Sequence, residues 1–200
     1  MFDNTMTMRD QVTAICKAAH FHLRNIGSIR KCITYEACEK LIHAFVTSRI
    51  DFCNATLYGL PDGQHKRLQR MLHIAARILT LTPSSNNIEL VLIDLNWLPV
   101  PQRIDYKILL LTFKALHGLA PQYLSELIKL ETNSSSMTTR NTNTNRLDPP
   151  KTRTKTFGDR AFASAAPALW NSLPQKVRFI DKIEQFKNEI KTHLFKSAYK

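Results

Sequence analysis

The sequence predicts an all-α fold, an irregular helical bundle joined by a disordered polar linker to a small C-terminal helical appendage. Three observations carry that expectation. Leu (24) and Ile (16) far outnumber Val (5), a balance that favours helix. Only 5 glycines occur in 200 residues, against a usual share of about 7%, so tight turns are scarce. Apolar residues recur at steps of three and four along much of the chain, the period of a helix with one buried face. A chain of this length fits one ordinary domain or two small ones, and 44% hydrophobic residues can supply a core.

The first helix is expected over 7–26, where Val12, Ile15, Ala19, Leu23 and Ile26 form a stripe and Gly27 supplies a C-cap. Thr34 is a good N-cap for a second helix, in which Ala37, Leu41, Ala44, Phe45 and Ser48 share a face. Glu36 and Glu39 sit near the positive end of its dipole. Leu57-Tyr58-Gly59-Leu60-Pro61 then breaks it. A third helix follows from Asp62 to Leu79, with Leu68, Leu72, Ala75 and Leu79 along one side and Lys66, Arg67, Arg70 and Arg77 as four cations. After a loop at 82–87, a short helix over 88–95 leads through Trp97-Leu98-Pro99 to a longer one that opens at Pro101 and stops at Gly118. Ile104, Ile108, Leu111, Ala115 and Leu116 make its apolar side, and Ala120-Pro121 starts a further turn or two ending near Leu130.

Of the 26 residues from Glu131 to Thr156, 15 are Thr, Asn or Ser, and the only apolar side chains are Met137 and Leu147. Such a stretch cannot bury enough surface to offset its ordering entropy, which predicts a linker. Beyond it, Pro167 is expected to kink or restart an Ala-rich helix that Leu173-Pro174 ends. Asp181 is expected to cap a last helix striped by Ile183, Phe186, Ile190 and Leu194. The expected organisation is an N-terminal helix (1–33), a helical block (34–130), the linker (131–156) and a C-terminal helical segment (157–200) too small to stand alone, which docks on the block. Trp170, with Phe162 and Leu169, reads as a docking core rather than a base-stacking platform.

Lys and Arg number 28 against 16 Asp and Glu, leaving +12 and a pI near 9.8, so the expected partner is acidic. Basic side chains hold nucleic acids by neutralising phosphates, and two arrays are candidates. One is Arg30, Lys31, Lys66, Arg67, Arg70 and Arg77; the other is Lys151, Arg153 and Lys155 in the linker, a group also compatible with a weak nuclear-import signal. Cations that bind should form one contiguous face, whereas cations that serve solubility alone should scatter.

Other chemistries lack their residues. Neither GxxxxGK[ST] nor GxGxxG occurs, which disfavours nucleotide folds. No two acids are adjacent, GxSxG is absent, and Cys53 beside Asp51 and Asn54 has no evident base. Cysteines at 16, 32, 38 and 53 form no CxxC pair, and the histidines show no HExxH spacing, so no metal or other cofactor is expected. Four unpaired thiols suit a reducing cytoplasm or nucleus. The longest apolar segments, 91–93 and 108–111, fall far short of the roughly 20 residues of a membrane span, and no signal peptide is evident.

Four phrases in order, LIHAFVTSRIDFCNATLYGLP, LQRMLHIAARILT, LNWLPVPQRIDYKILLLTFKALHGLAPQYLSELI and GDRAFASAAPALWNSLP, resemble the C-terminal third of a LINE-type (non-LTR) retrotransposon reverse transcriptase. The resemblance covers nearly the whole chain and makes Met1 look internal to a larger reading frame. It implies that the segment carrying LIHAFVTSRIDFCN and LQRMLHIAARILT is the helical thumb, which grips the primer-template duplex, and that the rest is a C-terminal extension. The family's polymerase acids and endonuclease lie upstream of Met1, so neither activity is carried onto these residues. By position alone, duplex contact is assigned to Arg67, Arg70 and Arg77 of the third helix and to Arg30 and Lys31. The resemblance also implies that helices one and two have lost a palm that covered them, which favours self-association. Two readings follow. One is a non-catalytic fragment that retains non-specific binding of RNA or RNA/DNA hybrid; the other is a structural or interaction module, or an inert relic, without such binding.

Overall fold

The computed structural model describes residues 7–131, 145–154 and 157–200. The fold is all-α, with helices α1 (Arg9–Ile29), α2 (Tyr35–Ile42), α3 (Ser48–Asp51), α4 (Asp62–Thr80), α5 (Ile88–Asp94), α6 (Val100–Leu116), α7 (Gln122–Ser125), α8 (Phe162–Ser172), α9 (Gln175–Arg178) and α10 (Ile183–Ala198). Among the described residues the β pairing is a lone antiparallel bridge between Leu130 and Leu147. The chain forms two compact units, Met1–Ile104 with Phe195–Lys200, and Asp105–Leu194. These boundaries fall within α6 and α10, whereas composition places them at 34, 131 and 157.

In the first unit, α1 buries the five residues its periodicity predicts, Val12, Ile15, Ala19, Leu23 and Ile26, and packs most extensively on α4. The expected cap at Gly27 is not one. The helix runs through Gly27 to Ile29, and a Cβ at Gly27 would make only ordinary contact with Ile78 of α4, 3.6 Å away. A 3-10 turn, Arg30–Cys32, follows, and Ile33 turns extended. Thr34 caps α2 as expected, its hydroxyl accepting from the Ala37 amide at 3.3 Å.

The buried face of the next segment differs from the expected one. Cys38, Ile42, Val46 and Ile50 point inward, while Ala44, Phe45 and Ser48 are exposed. Apolar residues surround this stretch, so its period is ambiguous, and a π-turn over His43–Thr47 widens the helix so that steps of four stay on one side. The helix ends at Asp51, before the predicted breaker at 57–61, where Cys53 takes a left-handed conformation at φ 50. Arg103 closes the unit by donating from Nη1 to Asp51 Oδ2 at 2.8 Å and from Nε to the Leu98 carbonyl at 2.8 Å. The Tyr199 hydroxyl likewise donates to the Trp97 carbonyl at 2.7 Å.

In the second unit, the α6 residue Phe113 stacks on Phe186 of α10 with ring centroids 4.3 Å apart, and Trp170 of α8 lies 5.7 Å from Phe186. All three rings are fully buried, so Trp170 is core and cannot stack on bases. Gly118, at φ 68, terminates α6 as expected, with the Leu119 amide donating back to the Lys114 carbonyl at 2.8 Å. Pro167 does not restart the helix: α8 runs through it from Phe162 to Ser172, with Ala165, Ala166, Pro167 and Trp170 buried.

Within the expected linker, 132–144 and 155–156 lie outside the described residues. The part at 145–148 is fixed rather than free. Asn171 Nδ2 donates to the Leu147 carbonyl at 2.8 Å, and the Leu147 amide donates to Asn171 Oδ1 at 3.0 Å. Trp170 Nε1 donates to the Asn145 carbonyl at 2.8 Å. Leu147 is thereby buried, and a single apolar side chain held by paired backbone groups orders a stretch that composition reads as linker.

Candidate nucleic-acid interface

α1 and α4 run in the same direction. At one end Arg67 Nη2 donates to Thr13 Oγ1 at 3.0 Å; at the other, Arg30 reaches the carbonyls of Ile78 and Leu79. The pair defines a surface on which the predicted residues can be placed one by one.

Arg30, expected on the duplex, is turned inward instead. Its Nε donates to the Ile78 carbonyl at 3.1 Å, its Nη2 to Leu79 at 2.9 Å and its Nη1 to Ile33 at 3.2 Å. The last carbonyls of a helix lack intrahelical donors and carry the negative end of the dipole, so a guanidinium there is a C-terminal cap. Arg77 is similarly occupied, donating to the Pro83 carbonyl and, at 3.1 Å, to the Asn86 carbonyl, which ties down the loop after α4. Arg67 is half-buried between Gln64 Oε1, at 3.0 Å, and Thr13.

The other three behave differently. Lys31, Lys66 and Arg70 are exposed and have no hydrogen-bond or ion-pair partner among the described residues. Lys66, Arg70, His73 and Arg77 recur at steps of four, three and four, so they share one face of α4. Lys151 and Arg153 are exposed residues outside this unit, and Lys155 lies outside the described residues.

The structure adds residues that the sequence reading missed. Arg9, Lys17 and Arg24 are exposed on α1, and with Thr13 and His20 they recur at steps of three and four. Thr13 belongs to this stripe and Arg67 adjoins the stripe on α4, so their hydrogen bond is the seam between two basic rows. From Arg9 to Arg24 the row is about 22 Å long. The signal was present in the sequence as the polar counterpart of the Val12–Ile26 stripe, but these cations are too far apart in the chain to read as a cluster. Some cations lie elsewhere, including Lys40 and Arg49, both exposed; Arg49 lines a groove of about 410 Å³ with Ala14, Ala18 and Phe52 on another side of α1.

His73 is the titratable member of the α4 row. The Val100 amide donates to Gln69 Oε1 at 2.7 Å, which turns the Gln69 amide nitrogen toward His73 Nε2, also at 2.7 Å. That ring nitrogen must therefore accept, and the imidazole is neutral with its proton on Nδ1. Burial, reinforced by the nearby Arg77 charge and opposed by Glu89, holds its pKa below the ordinary 6.5. His73 lines a cleft of about 370 Å³ with His65, Lys66, Gln69, Glu89 and Tyr199.

Among the described residues no three His, Cys, Asp or Glu side chains converge on a metal position. All four cysteines are unpaired, with Cys38 buried, Cys16 half-buried and Cys32 and Cys53 exposed; burial pushes the Cys16 and Cys38 thiols up. No helix of the described residues is long and apolar enough to cross a membrane. No family model matches the chain, and no curated protein and no solved structure does so either.

Proposed function

We propose that this chain is a non-catalytic, duplex-gripping part of a retroelement reverse transcriptase and that it binds RNA or RNA/DNA hybrid through the outer face of α1 and α4. The observation that carries the reading is the pair of exposed basic rows, Arg9, Lys17 and Arg24 beside Lys66 and Arg70, on two parallel helices joined at the Arg67–Thr13 bond, with Lys31 at the far end. The resemblance of the four phrases supports the same reading. Binding by such a face is electrostatic and independent of sequence, and it releases counterions.

Six exposed cations give a slope of log affinity against log salt of about −5 if all are engaged. Between about 50 and 200 mM salt that is a loss of about 10³-fold, or about 40-fold if only three are engaged. The test is a fluorescence-anisotropy titration of the chain against a short RNA/DNA hybrid at both salt concentrations. Absence of binding at low salt, or binding indifferent to salt, overturns the proposal.

A second reading, self-association, is favoured by a separate observation. Phe21, Phe45 and Phe52 are 54%, 42% and 71% exposed, and Phe52 borders the groove that holds Ala14 and Ala18. Sedimentation equilibrium without nucleic acid is expected to show a concentration-dependent dimer that Phe52→Asp dissociates; a monomer at every concentration rejects this reading.

A further inference from the structure

Arg178, in α9, is an anomaly of the second unit. The residue is only 6% exposed, and its Nε and Nη1 are buried without an acceptor. Buried guanidinium groups are ordinarily paired, because the charge and each N–H forfeit hydration. Among the described residues no ion pair involves Arg178 or Arg146. The charged group that acts on Arg178 is Arg146, a second cation, and burial followed by this repulsion pushes the Arg178 pKa below its ordinary value.

The backbone segments that carry the two arginines are joined. Asn145 Nδ2 donates to the Arg178 carbonyl at 2.6 Å, the Asn145 carbonyl accepts from Trp170 Nε1, and the Leu147 amide is fixed by Asn171. Arg146 therefore sits in a short segment pinned on both sides, beside a helix that carries the unpartnered guanidinium. Removing either charge would relieve the repulsion, yet both are present and neither pairs with an acid among the described residues.

We infer that Arg178 and Arg146 form an anion site for a phosphate group. Two guanidinium groups carry two positive charges, and a phosphate near neutral pH carries about −1.5 to −2 with several acceptor oxygens, a match in both charge and donor number that a single carboxylate lacks. The phosphate can come free from solution or from a nucleic-acid strand, with the same recognition chemistry. The site lies entirely in the second unit and does not depend on the proposed α1–α4 interface.

The experiment is isothermal titration calorimetry of the full chain with inorganic phosphate in phosphate-free buffer, together with thermal melts. Saturable binding is expected, with a dissociation constant that rises about tenfold or more in Arg146→Gln and no rise in Lys191→Gln, an exposed lysine of α10. Arg146 is exposed, so that variant keeps the fold. Arg178→Gln is expected to lose the phosphate-dependent rise in melting temperature while melting no lower than wild type without phosphate. Lack of saturation up to about 10 mM phosphate, or equal binding by wild type and Arg146→Gln, overturns the inference. A short RNA that displaces phosphate from wild type identifies the strand as the source; RNA that binds without displacing it identifies free phosphate.

Discussion

Arg30→Ala removes a guanidinium that donates to three backbone carbonyls, two of them in the last turn of α4. Hydrogen bonds from charged donors contribute about 1.5–3 kcal/mol each in mutational series. Arg30 is half-buried and the freed carbonyls regain some water, so the low end applies to the Ile78 and Leu79 bonds and little is assigned to Ile33. The expected cost is about 2–3 kcal/mol, which for a chain of this size lowers the melting temperature by about 5–10 °C. Arg30→Lys keeps the charge but cannot span three carbonyls, and is expected to lose most of the same stability. Its neighbour gives the reciprocal result. Lys31→Ala is expected to stay within about 0.5 kcal/mol of wild type, while flattening the salt dependence of hybrid binding by about one unit of slope. Circular-dichroism melts and anisotropy on the same four proteins read both quantities. If Arg30→Ala melts like wild type and weakens hybrid binding as much as Lys31→Ala does, the guanidinium is a phosphate ligand and the capping assignment is wrong.

Two further expectations concern α4. Leu81 ends that helix in the left-handed region at φ 55 while its side chain is 60% exposed, so Leu81→Gly relieves backbone strain without losing packing and is expected to stabilise by about 1 kcal/mol in urea denaturation. His73 is held neutral in the fold below the ordinary 6.5, so as pH falls the unfolded chain takes up the proton first. The stability from this residue is complete above about pH 6.5 and declines below it; wild type is expected to lose stability relative to His73→Gln between about pH 6.5 and 5, and parallel curves count against burial holding His73 neutral.

Much of the helical core can be read from periodicity alone because these helices each present one apolar stripe. The five buried residues of α1 and the Thr34 cap in the first unit, and Phe186, Ile190 and Leu194 of α10 in the second, sit where spacing places them, whereas Ile183 of the same predicted stripe is only half-buried. Periodicity fails where several faces are apolar at once. Between Tyr35 and Asp51, Leu41, Ile42, Ala44, Phe45 and Val46 fit more than one face, and a π-turn, which leaves no local sequence mark, decides which is buried. It fails again at 145–148, where the Asn171 side chain bonds one backbone edge of Leu147 and the antiparallel bridge to Leu130 holds the other edge of the segment. Such order depends on a residue 24 positions away, and composition over a window cannot detect it.

The candidate interface was harder to read than the fold, for a reason specific to arginine. A count of cations gives the charge of a surface but not where each N–H goes, and arginine has five donors on a planar head that can satisfy carbonyls at a helix end as readily as phosphates. Arg30 and Arg77 therefore look like ligands in the sequence and cap or clamp backbone in the fold. Conversely, Arg9, Lys17 and Arg24 are seven or eight residues apart, and no window over the chain groups them. They become a row only because α1 is a helix, and that row gains a neighbour only because α1 packs parallel to α4 with Thr13 against Arg67. The polar residues proposed to bind are set by the same phase as the apolar residues that pack: once Val12–Ile26 is turned inward, the opposite stripe is fixed. A substitution that rotates α1 on α4 should therefore weaken hybrid binding without touching a single basic residue.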